Sequence, residues 1–353
     1  MTGAEGRRAL LVIITYNSFD LLPDIAESIR EFESDNPGNF ALVIENSGDR
    51  HVGDYFASNL ESKRVFVHVS DTNLGFSHGV NAAYALAQEI WGRFDFVVLL
   101  NPDVLSAGRT VSELVNRASR DSEAEYGIWS APLRNEQGRF DKGCARREWN
   151  LRRLFSDLLG YPPLAKVLMT SSRHLTQQEI EHDQSELALV SGALMCIRAR
   201  IFADGLDTYL PMYLEDQEIC LRSIRNGLKV HLYPDLEAIH LGGVSRKSNP
   251  SVQRALRIME NVEAPVQCMC RIQGYSLTTV RPVVFFGGLA RLAIAPIVAG
   301  FHVLFRRADV NDRSAWLSDQ FKLGYWSAWW AVRGKYHESE ISLSEYFREY
   351  ARE

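Results

Sequence analysis

The chain has 353 residues, enough for one large domain or two ordinary ones, and its 46% hydrophobic and 24% charged residues are ordinary for a globular protein. A net charge of −5 argues against a general affinity for nucleic acid. The five cysteines are scattered and odd in number, which argues against a disulfide framework or a cysteine zinc site and fits reduced thiols in the cytoplasm.

The N-terminal stretch carries two arginines and a short apolar run without a small-residue cleavage site, so no signal peptide is expected there. Ala9–Ile14 is apolar and β-branched and predicts the first strand, ending in Thr15-Tyr16-Asn17-Ser18. Ser18 is expected to cap a helix whose apolar positions Leu21, Leu22, Ile25, Ile29 and Phe32 follow helical spacing. Phe40–Glu45 and Val65–Val69 predict the second and third strands. Polar residues follow each of them, Glu45-Asn46-Ser47 after one and Asp71, Asn73 and a Gly75–Gly79 loop after the other. A helix is expected from about Val80 to Trp91, and then comes Phe94–Leu100, an apolar run that stops at Asn101-Pro102-Asp103. Proline cannot continue a central ladder, so the chain leaves the sheet there. Strand–helix alternation at this spacing predicts an α/β fold with a mostly parallel, Rossmann-like sheet. In such sheets ligands bind at the carboxyl edge, where Thr15, Asn17, Glu45, Asp71 and Asp103 collect. The plainer reading of Asp103 is a cap for a helix beginning near Ala107. The dinucleotide fingerprint GxGxxG and the P-loop are both absent after the first strand.

Tyr126–Leu133 and Leu187–Ile197 predict further strands, and residues 134–185 between them are polar and irregular, as an insertion near the site would be. Glu215 and Asp216 open a run with helical spacing that ends at Asn226-Gly227. Acidic residues favour helix starts, which accounts for one carboxylate there but less well for three in four positions. A helix start also keeps an Asp ionised, as a general base must be. After a strand at Lys229–Tyr233, His240 precedes Gly242-Gly243, Ser245, Arg246 and Lys247, a composition suited to a diphosphate.

Residues 251–272 are helical in pattern, and Val283–Phe305 is apolar and long enough to cross a membrane. Arg291, Pro296 and His302 interrupt that run. From Arg246 to Lys335 there are thirteen Arg or Lys against five Asp or Glu, a net +8. With Trp316, Tyr325, Trp326, Trp329 and Trp330 nearby, residues 281–335 are expected to lie on the inner membrane face rather than cross it. In that picture Arg291 reaches the headgroups while Phe285, Phe286, Leu289 and Ile294 bury. The competing picture is a buried helical subdomain or a homodimer interface.

Taken together, Ile14-Thr-Tyr-Asn17, Val43-Ile-Glu-Asn-Ser47, Asn73-Leu-Gly-Phe76 through Asn81, Leu100-Asn-Pro-Asp103, Ser191-Gly-Ala193, Tyr213-Leu-Glu-Asp216 and His240-Leu-Gly-Gly-Val-Ser245 resemble the family 2 glycosyltransferases of the GT-A fold, in their bacterial rhamnosyltransferase-like branch. The match covers about residues 9–250, read as the GT-A domain, with 251–353 a helical C-terminal extension. The resemblance implies inverting transfer from a nucleotide-diphosphate sugar, dTDP-rhamnose first and a UDP-sugar second, to a glycan or polyprenyl-linked glycan of the cell envelope. Thr15, Asn17, Glu45 and Asp71 would line the nucleoside end and Asn81 the sugar or ribose. Asn101, Arg246 and Lys247 would face the donor, and Asp103 with His240 would hold Mg²⁺ or Mn²⁺. Asp216 would take the acceptor proton, with Glu215 beside it. The usual Asp-x-Asp is Asn101-Pro102-Asp103 here, with one carboxylate fewer. A nucleotidyltransferase would need a Gly-rich cationic loop after the first strand, which Thr15-Tyr-Asn-Ser-Phe-Asp20 does not provide. A non-catalytic sugar-nucleotide-binding or scaffold protein would have no need of Asp103, Asp216 and His240 together.

Overall fold

The computed structural model describes residues 7–60, 62–121, 125–160, 172–242, 250–305 and 310–351. The chain divides into two compact units, Met1–Arg146 with His174–Ser248, and Arg147–Arg173 with Asn249–Glu353. Residues 147–173, part of the polar stretch between the predicted strands, therefore group with the C-terminal helices.

The first unit is a seven-stranded sheet with strands β1 (Ala9–Thr15), β2 (Asn39–Glu45), β3 (Val65–Val69), β4 (Phe96–Leu100), β6 (Tyr126–Ser130), β10 (Leu194–Arg198) and β11 (Lys229–Leu232), in the order β11-β6-β10-β4-β1-β2-β3. Three short strands, β5 (Val104–Leu105), β7 (Leu133–Arg134) and β12 (Ala238–His240), make a second sheet, and β8 (Ala145–Arg146) pairs with β9 (Leu189–Val190). β1, β2, β3 and β4 run parallel. Every residue of β1 and β4 is buried, as expected of central strands covered on both faces. β10 runs antiparallel between β4 and β6, with Leu194 opposite Leu100. Its start therefore arrives at the edge where β1, β2 and β4 end.

Two predicted strands are each split. Leu187–Ile197 breaks at Ser191-Gly192-Ala193, so that Leu189–Val190 pairs with β8 and Leu194–Arg198 with β4 and β6. Tyr126–Leu133 breaks at Ala131-Pro132, because proline has no N–H to give the ladder. Ser18 does not cap the first long helix; it precedes a short 3₁₀ turn, and the α-helix Leu22–Asp35 starts after Leu21. Asp103 caps no helix either: the next one, Gly108–Ala118, starts after Ala107, whose N–H is bonded by Ser28 Oγ.

In the second unit a continuous helical run from Pro250 to Ile272 contains two π-helical stretches, Met259–Glu263 and Cys268–Ile272. Pro265 lies just after the first of them; it lacks an N–H, and a widened turn accommodates the missing bond. The helix Leu277–Phe305 packs against Val310–Arg333 and against Leu151–Leu159. Gly288 and Gly324 let the two long helices touch, since a Cβ on Gly288 would fall 2.6 Å from the Gly324 carbonyl oxygen. Among the described residues, Leu277–Gly300 is the one helix long and apolar enough to cross a membrane by length and composition.

The placement expected for Arg291 is corrected. Its side chain is 9% exposed and turns into the protein, where Nη2 donates to the Asp157 carbonyl at 3.3 Å. Gly160 ends the helix Leu151–Leu159 at φ 71°, and a Cβ there would lie 2.1 Å from Arg291 Nη2. The guanidinium occupies the space that glycine leaves, at the helix end whose carbonyls attract a cation. Burial lowers its pKa to about 10, partly offset by the Asp157 carboxylate.

Candidate active site

The site is built on the carboxyl edge of the first sheet. Where β1 and β2 end, Thr15 Oγ1 donates to Glu45 Oε2 at 2.5 Å, and the Ser47 amide and hydroxyl both donate to Glu45 Oε1. Thr15 and Glu45 are fully buried, so both Glu45 oxygens are satisfied inside the protein. Asn46, which follows, anchors the next loop: its Nδ2 donates to the Gly75 carbonyl at 3.0 Å, and its Oδ1 accepts from the Leu74 amide at 3.4 Å. Asn17 and Asp71 are exposed on the same edge, and Asn17 takes a left-handed φ of 52°, a conformation asparagine tolerates better than most residues.

Asn81 lies in the helix Phe76–Trp91, which follows the Gly75 loop. Its Nδ2 donates to the Leu206 carbonyl at 3.0 Å and its Oδ1 accepts the Leu206 amide at 2.7 Å. Both ends of the amide clamp the 205–206 turn.

After β4 the chain turns through Asn101-Pro102-Asp103 into β5. The Asn101 amide donates to the Ala193 carbonyl at 2.8 Å, joining this turn to the start of β10. β12 pairs antiparallel with β5, setting His240 opposite Val104, and the Leu241 amide donates to the Asp103 carbonyl at 2.9 Å. The imidazole is thereby held between two carboxylates, with Nε2 3.5 Å from Asp103 Oδ1 and Nδ1 3.4 Å from Asp141 Oδ2. Burial opposes a charge on His240, but the two carboxylates outweigh it and push its pKa up to about 9. The hydrogen bond to His240 holds the Asp141 carboxyl below its ordinary range, and the Gly143 amide assists.

The helix Glu215–Arg225 opens with Glu215 and Asp216. Tyr213, two residues earlier, has φ 73°, an uncommon conformation for a bulky residue, and its carbonyl accepts from Gln217 Nε2 at 2.7 Å. Asp216 packs against the Ser191-Gly192-Ala193 break, where a Cβ on Gly192 would sit 3.4 Å from its own Cβ. Arg146, in β8, donates through Nη2 to Asp216 Oδ2 at 2.5 Å and to the Val190 carbonyl at 3.1 Å. The other oxygen, Asp216 Oδ1, is buried without a protein hydrogen bond, as is Glu215 Oε2. Burial pushes the Glu215 carboxyl up to about 8, and the adjacent Asp216 charge adds to it. At neutral pH Glu215 is mostly a neutral acid, while Asp216 is paired with a cation.

The two constellations meet at one turn: Ala193 is bonded to the Asn101–Asp103 turn, and Gly192 adjoins Asp216. Arg246 and Lys247 lie outside the described residues. Sequence reading missed Arg146 as a partner of Asp216, Asp141 as a partner of His240, and Asn46 as an anchor. Arg146 was visible only as part of a dibasic pair, and Asp141 only as a turn residue before Gly143.

Asp103 and His240 offer one oxygen and one nitrogen donor. Among the described residues no group of three or more His, Cys, Asp or Glu side chains is arranged to hold an ion.

Comparison with known proteins gives a consistent picture. The family model described as "Glycosyltransferase like family 2" matches residues 8–261. The rhamnosyltransferase WbbL of Escherichia coli (strain K12) is 23% identical over 242 residues, 65% of this chain and 82% of that protein. Among solved structures, the mannosyltransferase PcManGT from Pyrobaculum calidifontis, in complex with GDP-Man and Mn²⁺, superposes with a TM-score of 0.57 at 14% identity, covering 94% of this chain and 89% of that one. Glucosyl-3-phosphoglycerate synthase from Mycobacterium tuberculosis, in complex with Mn²⁺, UDP and glucosyl-3-phosphoglycerate, gives a TM-score of 0.45 at 12% identity over 77% of this chain and 82% of that one.

Proposed function

This chain belongs to glycosyltransferase-like family 2, and on that premise we propose that it moves a sugar from a nucleotide-diphosphate donor to a hydroxyl of a glycan, with inversion at the anomeric carbon. An alcohol is a poor nucleophile, so a base within hydrogen-bond reach is required. Asp216 fills that role: Arg146 fixes Oδ2, and Oδ1 stays without a protein partner, ready to accept the acceptor hydroxyl proton. The hydroxyl then attacks the anomeric carbon from the face opposite the departing diphosphate. Glu215, neutral at pH 7, stands beside the base without competing for its proton.

The observation that carries the proposal is the junction at Gly192–Ala193, which brings the Asn101–Asp103 turn and the Asp216 helix start to one strand beginning. Exposed Asn17 and Asp71 would face the nucleoside, while fully buried Thr15 and Glu45, with Ser47, shape the turn beneath it.

Asp103 and His240 would hold a divalent cation shared with the donor, the ion displacing the proton that the two carboxylates keep on the imidazole. Asp103 would supply one oxygen and His240 one nitrogen, 3.5 Å apart in this structure, a partial donor set of the kind Mg²⁺ or Mn²⁺ accepts. Such an ion supplies positive charge to the leaving diphosphate. Asp141 orients the imidazole from behind, in the manner of a carboxylate that backs a metal-bound histidine. The sugar we favour is rhamnose, supported by the similarity to the rhamnosyltransferase WbbL, with dTDP-rhamnose as the donor. The acceptor in this reading is a polyprenyl-linked glycan of the cell envelope, at the inner face of the membrane.

A panel of nucleotide sugars, scored by thermal stabilisation with and without Mn²⁺, tests the proposal. dTDP-rhamnose should raise the melting temperature most, and more so with Mn²⁺. Stabilisation by none of the panel, together with no donor hydrolysis, would overturn it.

A further inference from the structure

The helix Leu277–Phe305 is inside out for a protein in water. Its two arginines that the structure describes turn inward: Arg291 to the Asp157 carbonyl, and Arg281 to the Gly334 carbonyl at 2.8 Å. Its open face carries Pro282, Phe286, Leu289, Ala293, Ile297 and Gly300, spaced three or four residues apart, as one stripe. Every exposed position from Val280 to Gly300 is apolar. Phe286 and Ile297 are 60% and 64% exposed. The stripe is about 27 Å long at 1.5 Å per residue. The partner helix Val310–Arg333 adds exposed Phe321, Tyr325 and Val332; among its described side chains Lys322 and Arg333 are exposed, while the part-exposed Asp319 pairs with Arg257, and beyond the helix Lys335, Glu338 and Glu340 are exposed.

We propose that these two helices form a surface that lies in the interface of an anionic bilayer. The chemistry selects that occupant over a second copy of the chain. Half of the stripe is Pro, Ala or Gly, whose small or rigid side chains fill few holes on a facing helix, whereas fluid acyl chains conform to any contour. Tyrosine with lysine and arginine beside an apolar stripe is the composition that settles at headgroup depth. Among the described side chains of the two helices the exposed cations Lys322 and Arg333 face one part-exposed acid, Asp319, which Arg257 pairs; the cationic excess is what anionic headgroups complement and a symmetric copy would repel. A spanning arrangement would leave Arg291, with its single carbonyl contact, at the level of the lipid core.

The inference deepens the lipid-linked acceptor reading, but its test reads binding alone. Full-length protein is sedimented with phosphatidylglycerol vesicles and with phosphatidylcholine vesicles. Binding to the anionic vesicles, weakened by 0.5 M salt, is expected. The double variant F286D/I297D should bind about tenfold more weakly or worse, while its melting temperature and donor hydrolysis stay at the wild-type level, since both side chains are exposed. Wild-type protein that ignores both vesicle types overturns the proposal, as does a double variant that binds like wild type. A dimer by light scattering that the same two substitutions dissociate, without vesicle binding, assigns the face to a second copy instead. Vesicle binding without donor hydrolysis leaves this surface standing and removes the sugar-transfer reading.

Discussion

Arg146 and Asp216 are seventy residues apart in the chain and form a 2.5 Å ion pair, with both side chains largely buried. Arg146 stands at the end of a two-residue strand and Asp216 in the first turn of a helix, so the pair ties the 145–146 segment to the helix Glu215–Arg225. One oxygen of Asp216 is fixed and the other has no protein hydrogen bond; the proposed function gives it the role of base.

Replacing the base tests this directly. Asp216→Asn is nearly isosteric and should keep donor binding while lowering turnover by about 10²–10⁴-fold. Arg146→Met leaves a largely buried carboxylate without its cation, and should lower kcat with little change in the donor KM. Arg146→Lys should recover part of the loss, because a point charge replaces the fork. Steady-state kinetics with purified variants decides. Near-normal turnover in Asp216→Asn would remove Asp216 from the chemistry.

Removal of the cation should act through Asp103. Asp103→Ala is expected to weaken donor binding, and EDTA treatment of the wild type should match it. Asp141→Asn should weaken Mn²⁺ binding by about 10–100-fold through loss of imidazole orientation, with smaller effects on folding. Isothermal titration of Mn²⁺ in the presence of nucleoside diphosphate reads both. A wild type indifferent to EDTA would shift leaving-group stabilisation onto the protein's own cations.

Glu215 makes a prediction about pH. Its folded pKa is raised to about 8 by burial and by the Asp216 charge, against an ordinary 4.5. Between those values the unfolded chain has lost a proton that the folded chain keeps, so the folded state binds more protons. Stability from this group is fully present below about pH 4.5 and declines as pH rises through about 8. Glu215→Gln should flatten that decline. Urea melts from pH 5 to 8.5 check it; equal slopes in the two proteins would show that Glu215 does not titrate there.

In the second unit Glu263 is fully buried and accepts hydrogen bonds from His337 Nδ1, from Tyr346 OH at 2.7 Å and from Tyr350 OH at 3.4 Å. His337 Nε2 lies 3.1 Å from Glu349, so one imidazole joins the run after Pro250 to the last helix, Leu343–Ala351. Burial opposes a charge on His337, yet the two glutamates raise its pKa. His337→Ala should cost about 3–5 kcal/mol, the scale of leaving a buried charge unpaired. Hydrogen exchange should localise the loss to residues 343–351; unchanged protection there would contradict it.

Much of the site was legible in the sequence because short-range pattern encodes it. Short, continuous apolar runs rich in β-formers marked β1, β2 and β4 to within a few residues, and Pro102 marked where β4 must leave the sheet. The acidic start and Asn-Gly stop marked the Asp216 helix, so Asp103, Glu215, Asp216 and His240 stood out by position alone. What paired with them did not, because each partner comes from a distant part of the chain. Arg146 reaches Asp216, Asp141 reaches His240 across 99 residues, and Asn81 reaches Leu206 across 125. Those meetings depend on β10 entering antiparallel between β4 and β6, and on β12 closing over β5. Strand direction is set by how connections pack over the whole sheet, and no local periodicity records it. The same limit reversed Arg291. Composition placed a cation in an apolar helix, but only packing against the glycine-ended helix Leu151–Leu159 decided that it faces inward and leaves the apolar stripe outside.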